Sequence, residues 1–336
     1  MGTGFLGGYF DKEPDIKQNL VNSLNTIGVS ASTNNSLDEL YSIIANIKMG
    51  SKVPPWVATG WVNIANCSIT LYDCRGATIG DCIYVTGSSQ EEICIYNAIT
   101  NTWTIDNDKI GRNRSNPGVT AVNDKLYIIG GWSSVAGINV ATNACYDPST
   151  KTTTFLTDAP GTSSSVAAES IGTNIYIFGV GNNNAYAYKF DTLVGAWSSI
   201  SMANKRRDMG STVIGNDIFL VGGFNDEASA ITNIVEYYNP STNTYTRKKN
   251  FPITIMESCA EYCQGLVYCF HGRGTDNWTY QTAMRVYNPS TDSWSSNGTT
   301  TKRTISGSAV HNDVIYSFGG YDGSKYYNTG RCYINS

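Results

Sequence analysis

The sequence predicts an all-β fold, a six-bladed β-propeller closed by an N-terminal strand and preceded by a small α-helical hairpin. Three observations predict it. An apolar strand ending in glycine recurs six times, roughly 40 to 50 residues apart, which is the spacing of propeller blades. An aromatic residue followed by a tight-turn sequence comes after most copies. The composition, 41% hydrophobic but only 15% charged, suits a core-forming all-β chain with many turns.

The strands ending in glycine read CIYVTG at 82–87, LYIIGG at 126–131, IYIFGVG at 175–181, IFLVGG at 218–223, VYCFHG at 267–272 and IYSFGG at 315–320. The second landmark reads Tyr96-Asn97, Tyr146-Asp147-Pro148, Phe190-Asp191, Tyr238-Asn239-Pro240 and Tyr287-Asn288-Pro289. Asn or Asp before Pro starts a turn because the side chain mimics a backbone turn and proline sets φ. An aromatic then opens the next strand at Trp103, Phe155, Trp197, Tyr245 and Trp294. Short segments such as GVTAV at 118–122 and GSTVI at 210–214 precede the glycine strands and are expected to be innermost.

A strand ending in a glycine doublet, followed by spaced Tyr and Trp, resembles the kelch motif from about residue 61 onward. The resemblance implies four-stranded blades, the glycine strand second and the aromatic strand outermost. The last repeat stops after Cys332-Tyr333-Ile334 without an outer strand, while Gly60-Trp61-Val62-Asn63 stands unpaired before the first. Pairing Trp61 with the strand near Tyr333 completes the last unit and removes open sheet edges. Thr86-Gly87, Gly179-Val180-Gly181 and His271-Gly272 depart from the doublet, so their turns are expected to differ.

Residues 1–50 are read as a helical attachment module, 51–59 as a linker around Pro54-Pro55, and 60–336 as the propeller. Leu20, Leu24 and Ile27 share one helical face, Gly28 offers a stop, and Ser36 to Glu39 is a capping-box signature. Leu40, Ile44 and Ile47 form the next stripe. So short a hairpin buries too little surface to stand alone and requires a docking partner. The segment NLVNSLNTIGVSASTNNSLDELYSIIANI is similar to short modules of tail and baseplate proteins of phages infecting Gram-positive bacteria.

A net charge of −4 gives no reason to expect nucleic acid or an acidic membrane as partner. Nine cysteines, mostly in apolar strand contexts, read as buried thiols of a reducing compartment. The start has no secretory signal, Leu6 stands where myristoylation wants Ser or Thr, and no run is long enough to span a bilayer. There is no P-loop, dinucleotide fingerprint or zinc-hydrolase helix, so neither metal nor cofactor is expected. His311 reads as a solvated turn residue and His271 as a replacement for glycine. Kelch copper oxidases need paired histidines that this chain does not supply. An epimerase or lyase acting on a sugar remains as a third reading.

The resemblance places the loops after the glycine strands and the segments between blades on one face. The loops carry Trp132, Asn182, Asn183, Phe224, Asn225, Asp226, Asp276, Asn277, Trp278, Tyr280, Tyr321 and Asp322; the segments carry Arg114, Arg206, Arg207 and Arg303. Aromatic faces stack on sugars, and Asn, Asp and Arg hydrogen-bond hydroxyls or carboxylates, so this face is expected to bind a glycan or a peptide loop. The first functional expectation is a non-enzymatic, oligomeric tail-fibre or receptor-binding component of a virion or phage-tail-like particle. Its module would dock on tail or baseplate proteins, and its face would bind a host-surface ligand. The alternative is an intracellular kelch protein–protein interaction module.

Overall fold

The computed structural model describes residues 13–26, 31–37, 39–40, 60–88, 91–107, 113–181, 186–274 and 279–334. The chain divides into two compact units, Met1–Val57 and Ala58–Ser336. In the first, a helix runs from Glu13 to Thr26, and Val21, Leu24 and Leu40 are buried together against Leu20 and Ala31. The capping box forms: the Glu39 amide donates to Ser36 Oγ at 3.1 Å and the Ser36 amide to Glu39 Oε2 at 2.7 Å. Ile27, Ile44, Ile47 and the linker lie outside the described residues.

The second unit is all-β and almost wholly antiparallel. The first sheet orders Arg75–Ile79, Cys82–Thr86, Ile93–Asn97 and Thr102–Asp106 from inside to outside; four further sheets repeat that order, their inner strands being Gly118–Val122, Ala167–Ile171, Gly210–Ile214 and Cys259–Cys263. The sixth takes Gly307–His311, Val314–Phe318 and Gly330–Ile334, and its outer strand is Gly60–Asn63 from the other end of the chain, with Trp61 opposite Tyr333. Each inner strand lies against the inner strand of the next sheet, and the sixth lies against the first.

The second strand of each sheet has neighbours on both faces and so reads as a continuous apolar run; Val314 to Phe318 is buried throughout. Its glycine end is sterically required. At Gly222, with φ at +65°, and Gly319, at +62°, an added Cβ would strike the Ile255 and Leu71 carbonyls respectively. The expected local departure appears at Gly179-Val180-Gly181, where the register shifts between Phe178 and Val180.

Adjacent sheets are clamped at the rim by a repeated device. Tyr96 donates to Asn101 Oδ1 (2.9 Å), the same oxygen accepts the Ala65 amide (2.8 Å), and Trp103 Nε1 returns a bond to the Ala65 carbonyl (2.8 Å). Tyr238, Asn243 and Tyr245 grip Ser201 in the same way, with Tyr245 to the Ser201 carbonyl at 2.7 Å. Tyr287, Asp292 and Trp294 grip Lys249, with Trp294 Nε1 to the Lys249 carbonyl at 2.9 Å. The Tyr–Asn/Asp–aromatic spacing is thus an inter-sheet lock, with the tyrosine and the aromatic opposite each other on the third and fourth strands and the Asn or Asp in the turn between them.

The second sheet departs from it, and one expectation is corrected there. Phe155 does not open the outer strand: it is the fourth residue of Thr152–Leu156, opposite Ala144 and 54% exposed, and Thr153 takes the place opposite Tyr146. Lys151 stands where three other sheets have Asn101, Asn243 and Asp292, and Tyr146 reaches the Asp106 carboxylate of the first sheet instead, at 2.6 Å. His311 is also corrected: it ends the sixth inner strand and is 5% exposed, so it is no solvated turn residue. His271 does take a glycine's place, at φ +60°, buried with Nδ1 at 2.7 Å from Ser306 Oγ.

Candidate binding site at the channel mouth

Two residues before each inner strand the chain turns through the left-handed region: Asp73 (φ 48°), Asn116 (55°), Ser165 (67°), Asp208 (56°), Glu257 (56°) and Ile305 (48°). The turn brings successive sheets into register by backbone bonds, Asn116 amide to Asp73 carbonyl (2.6 Å), Ser165 to Asn116 (2.8 Å) and Glu257 to Asp208 (2.8 Å). Asn and Asp tolerate this conformation, whereas β-branched Ile305 is strained in it. These six positions surround the end of the axial channel at which the inner strands begin. The second strands, being antiparallel to the inner ones, finish at the same end and deliver their loops there.

Charge at this mouth is paired but not neutral. Arg207 engages the buried Asp208 and, through Nε, Asp226 at 3.3 Å, with its guanidinium 4.8 Å from the Phe224 ring centre. Arg273 meets Glu257 at 2.5 Å, and Thr304 donates to the other Glu257 oxygen at 2.6 Å. Burial, reinforced by the charge of Asp208 and opposed by Arg75 and Arg273, pushes the Asp73 carboxyl up to about 6. Burial and Asp208 push Glu257 the same way.

Beside the charges runs a chain of tyrosines. Tyr280 and Tyr321 are 6.1 Å apart, Tyr321 and Tyr326 4.6 Å, and Tyr326 and Tyr72 4.4 Å, while Lys302 Nζ lies 5.1 Å from the Tyr280 ring centre. On the second sheet, Trp132 is 42% exposed in a hairpin whose tip also presents Val135 and Ile138. The arrangement offers stacking surface, two partly exposed arginines and several carboxylates to a polar partner.

Of the residues expected on this face, Arg207, Phe224, Tyr280 and Tyr321 gather at the mouth, and Trp132 projects from its edge. Asn183 and Trp278, with Asn182, Asp276 and Asn277, lie outside the described residues. Arg114, Arg206 and Arg303 are corrected: all three are interior. Arg114 is fully buried and donates to the Ile128 and Thr142 carbonyls. Arg206 bonds the Ile234 carbonyl and Glu236, and Arg303 the Gly319 and Thr329 carbonyls. A guanidinium has five donors, and here they hold the glycine turn to the next strand. Asp73, Glu257, Arg273, Tyr72 and Tyr326 were not anticipated. Their signal lay in position: Tyr72, Asp73 and Glu257 stand just before an inner strand, and Arg273 and Tyr326 in the loop that follows a glycine end.

Comparison with known proteins adds the following. Residues 118–320 match the KLHDC2/KLHL20/DRC7 Kelch-repeats domain. The chain is 25% identical over 214 residues to Kelch-like protein 25 of Xenopus tropicalis, covering 58% of this chain and 36% of that protein. It is 29% identical over 143 residues to Kelch-like protein terF of Aspergillus terreus, covering 38% and 31%. The chain thus spans about a third of the length of these curated relatives. Among solved structures, one titled "Structure of YjhT" superposes with a TM-score of 0.70 at 16% identity, covering 79% of this chain and 95% of that one, which speaks for the fold alone.

Proposed function

Because the chain belongs to the kelch-repeat family, we propose that it is a non-enzymatic protein-interaction module that takes a segment of its partner at the channel mouth. The observation that carries this reading is the convergence of Arg207, Arg273, the tyrosine chain and the Trp132 hairpin on one rim. Exposed aromatics and arginines are the residue types that anchor protein interfaces. Kelch-like relatives favour this reading over the tail-fibre one. The six sheets are read as six blades of one closed ring, an inference supported by the neighbouring inner strands and by Trp61 pairing with Tyr333. The helical unit is proposed as the attachment element.

The test is crosslinking and affinity capture from the cells that make the protein, with wild-type chain and the double variant Arg207→Glu/Tyr326→Ser run in parallel. Partners retained by the wild type and lost by the folded variant support the reading. Identical partner sets overturn it.

A further inference from the structure

The second to fourth residues of the six inner strands, on the side away from the mouth, wall a cavity of about 300 Å³. It adjoins a smaller one of about 80 Å³, and Gly76, Glu169, Ser211, Glu261 and Ser308 line both. Glu169 and Glu261 occupy the third position of the third and fifth inner strands. Each is held by the serine at the second position of the following inner strand: Ser211 donates to Glu169 Oε1 at 2.6 Å, and Ser308 bonds Glu261.

The rest of the wall mixes hydroxyls with small apolar side chains such as Ala77, Ala121, Val213 and Ala309. Thr78, Thr120, Ser170 and Thr212 face the larger cavity, with the Tyr262 ring among them. Ser258 Oγ, on the smaller one, is buried without a partner. Each inner strand is paired on one side only, and hydroxyls bridge part of its other edge: Thr78 donates to the Val310 carbonyl at 2.8 Å, Ser170 to the Ala121 carbonyl at 2.9 Å, and Thr212 accepts the Tyr262 amide at 3.1 Å, which leaves each hydroxyl oxygen a further lone pair. Burial holds Glu169 near 7 and, with the charge of Glu169, Glu261 near 8, so both carboxyls donate as well as accept at neutral pH.

This lining excludes several ligand classes. Among the described residues no three acidic, His or Cys side chains converge as a metal site. An anion would oppose the ionisation of Glu169 and Glu261, which lose their protons near and just above neutral pH, and would find one lining cation, Arg75, already bonded to the Cys74 carbonyl; the wall is too polar for an apolar guest. We propose that the channel binds one small neutral polyol of monosaccharide size, its hydroxyls bonded by Glu169, Glu261 and the surrounding Ser and Thr side chains. The volume is at the lower limit of small-molecule pockets.

The experiment is calorimetric titration of the full chain at neutral pH with D-glucose, D-galactose, N-acetyl-D-glucosamine and glycerol. Saturable binding of at least one, weakened about tenfold in Glu169→Ala/Glu261→Ala, is expected. The mouth variant Arg207→Glu/Tyr326→Ser should leave that affinity unchanged, which separates this site from the partner face. If the alanine pair fails to fold, Ser211→Ala, which removes the donor that orients Glu169, is expected to weaken binding about threefold. No saturation by any probe at tens of millimolar, leaving the cavity to water, overturns the proposal. So does affinity indifferent to these variants.

Discussion

The rim and the mouth of this molecule are built by the same repeat and behave as opposites. At the rim the same chemistry returns: a tyrosine, an Asn or Asp, and an aromatic seize one residue of the preceding sheet, as at Ala65, Ser201 and Lys249. At the mouth the equivalent position is filled in turn by Asp73, Asn116, Ser165, Asp208, Glu257 and Ile305. Where a residue must make the same contact between neighbouring sheets, it is set by folding. Where only the backbone turn is shared, the side chain is free for recognition. In a repeat protein, function is therefore to be sought where the copies disagree.

The strongest test of that contrast is at the rim. Trp294→Ala removes a ring packed against Phe251 and Tyr287 together with the bond to Lys249, and is expected to cost about 3 kcal/mol. Phe155→Ala, at the slipped and exposed position of the second sheet, should cost under about 0.5 kcal/mol. Denaturant unfolding of the two variants compares them directly; equal losses would break the distinction. Asp292→Ala, which strands the Tyr287 hydroxyl and the Lys249 amide, should cost about 1–2 kcal/mol by the same measurement.

Acidity provides the next test. Folding raises Asp73 from 3.8 to about 6, Glu169 from 4.5 to about 7 and Glu261 from 4.5 to about 8. The folded chain therefore holds more protons than the unfolded one across roughly pH 4 to 8. The contribution is fully present on the acid side of that window and is lost as pH rises through each folded value. Thermal unfolding should show stability declining between pH 5 and 8 by about 1–3 kcal/mol per group. Glu169→Gln/Glu261→Gln should flatten most of that slope, and an unchanged slope would count against these assignments.

The smallest effects belong to the mouth. Tyr326→Ser should leave unfolding within about 0.5 kcal/mol of wild type while reducing partner capture. Ile305→Asn should be stabilising, by about 0.5–1 kcal/mol, because Asn accepts the left-handed backbone that Ile resists. A loss there would mean that the Ile305 side chain packs more than its turn strains.

Much of the fold was legible because it is written in local pattern. The glycine ends, the tight turns, the inner segments at 118–122 and 210–214, and the Ser36–Glu39 box depend on residues a few positions apart. Even the pairing of Trp61 with Tyr333 followed from counting strands at the two ends of a repeat. The site was less legible. An arginine before an inner strand reads alike whether it faces a ligand or a carbonyl, and Arg207 and Arg206 are neighbours with opposite fates.

The sequence by itself thus determined the all-β class, the repeat, and the helical segment that precedes it, because periodicity dictates which backbone bonds can form. The tertiary structure alone decided three things: that Thr153 rather than Phe155 faces Tyr146, that Arg114, Arg206 and Arg303 are interior, and that Glu169 and Glu261 share one channel. Each depends on contacts between sheets distant along the chain, and burial and proton affinity are properties of those contacts rather than of any local motif.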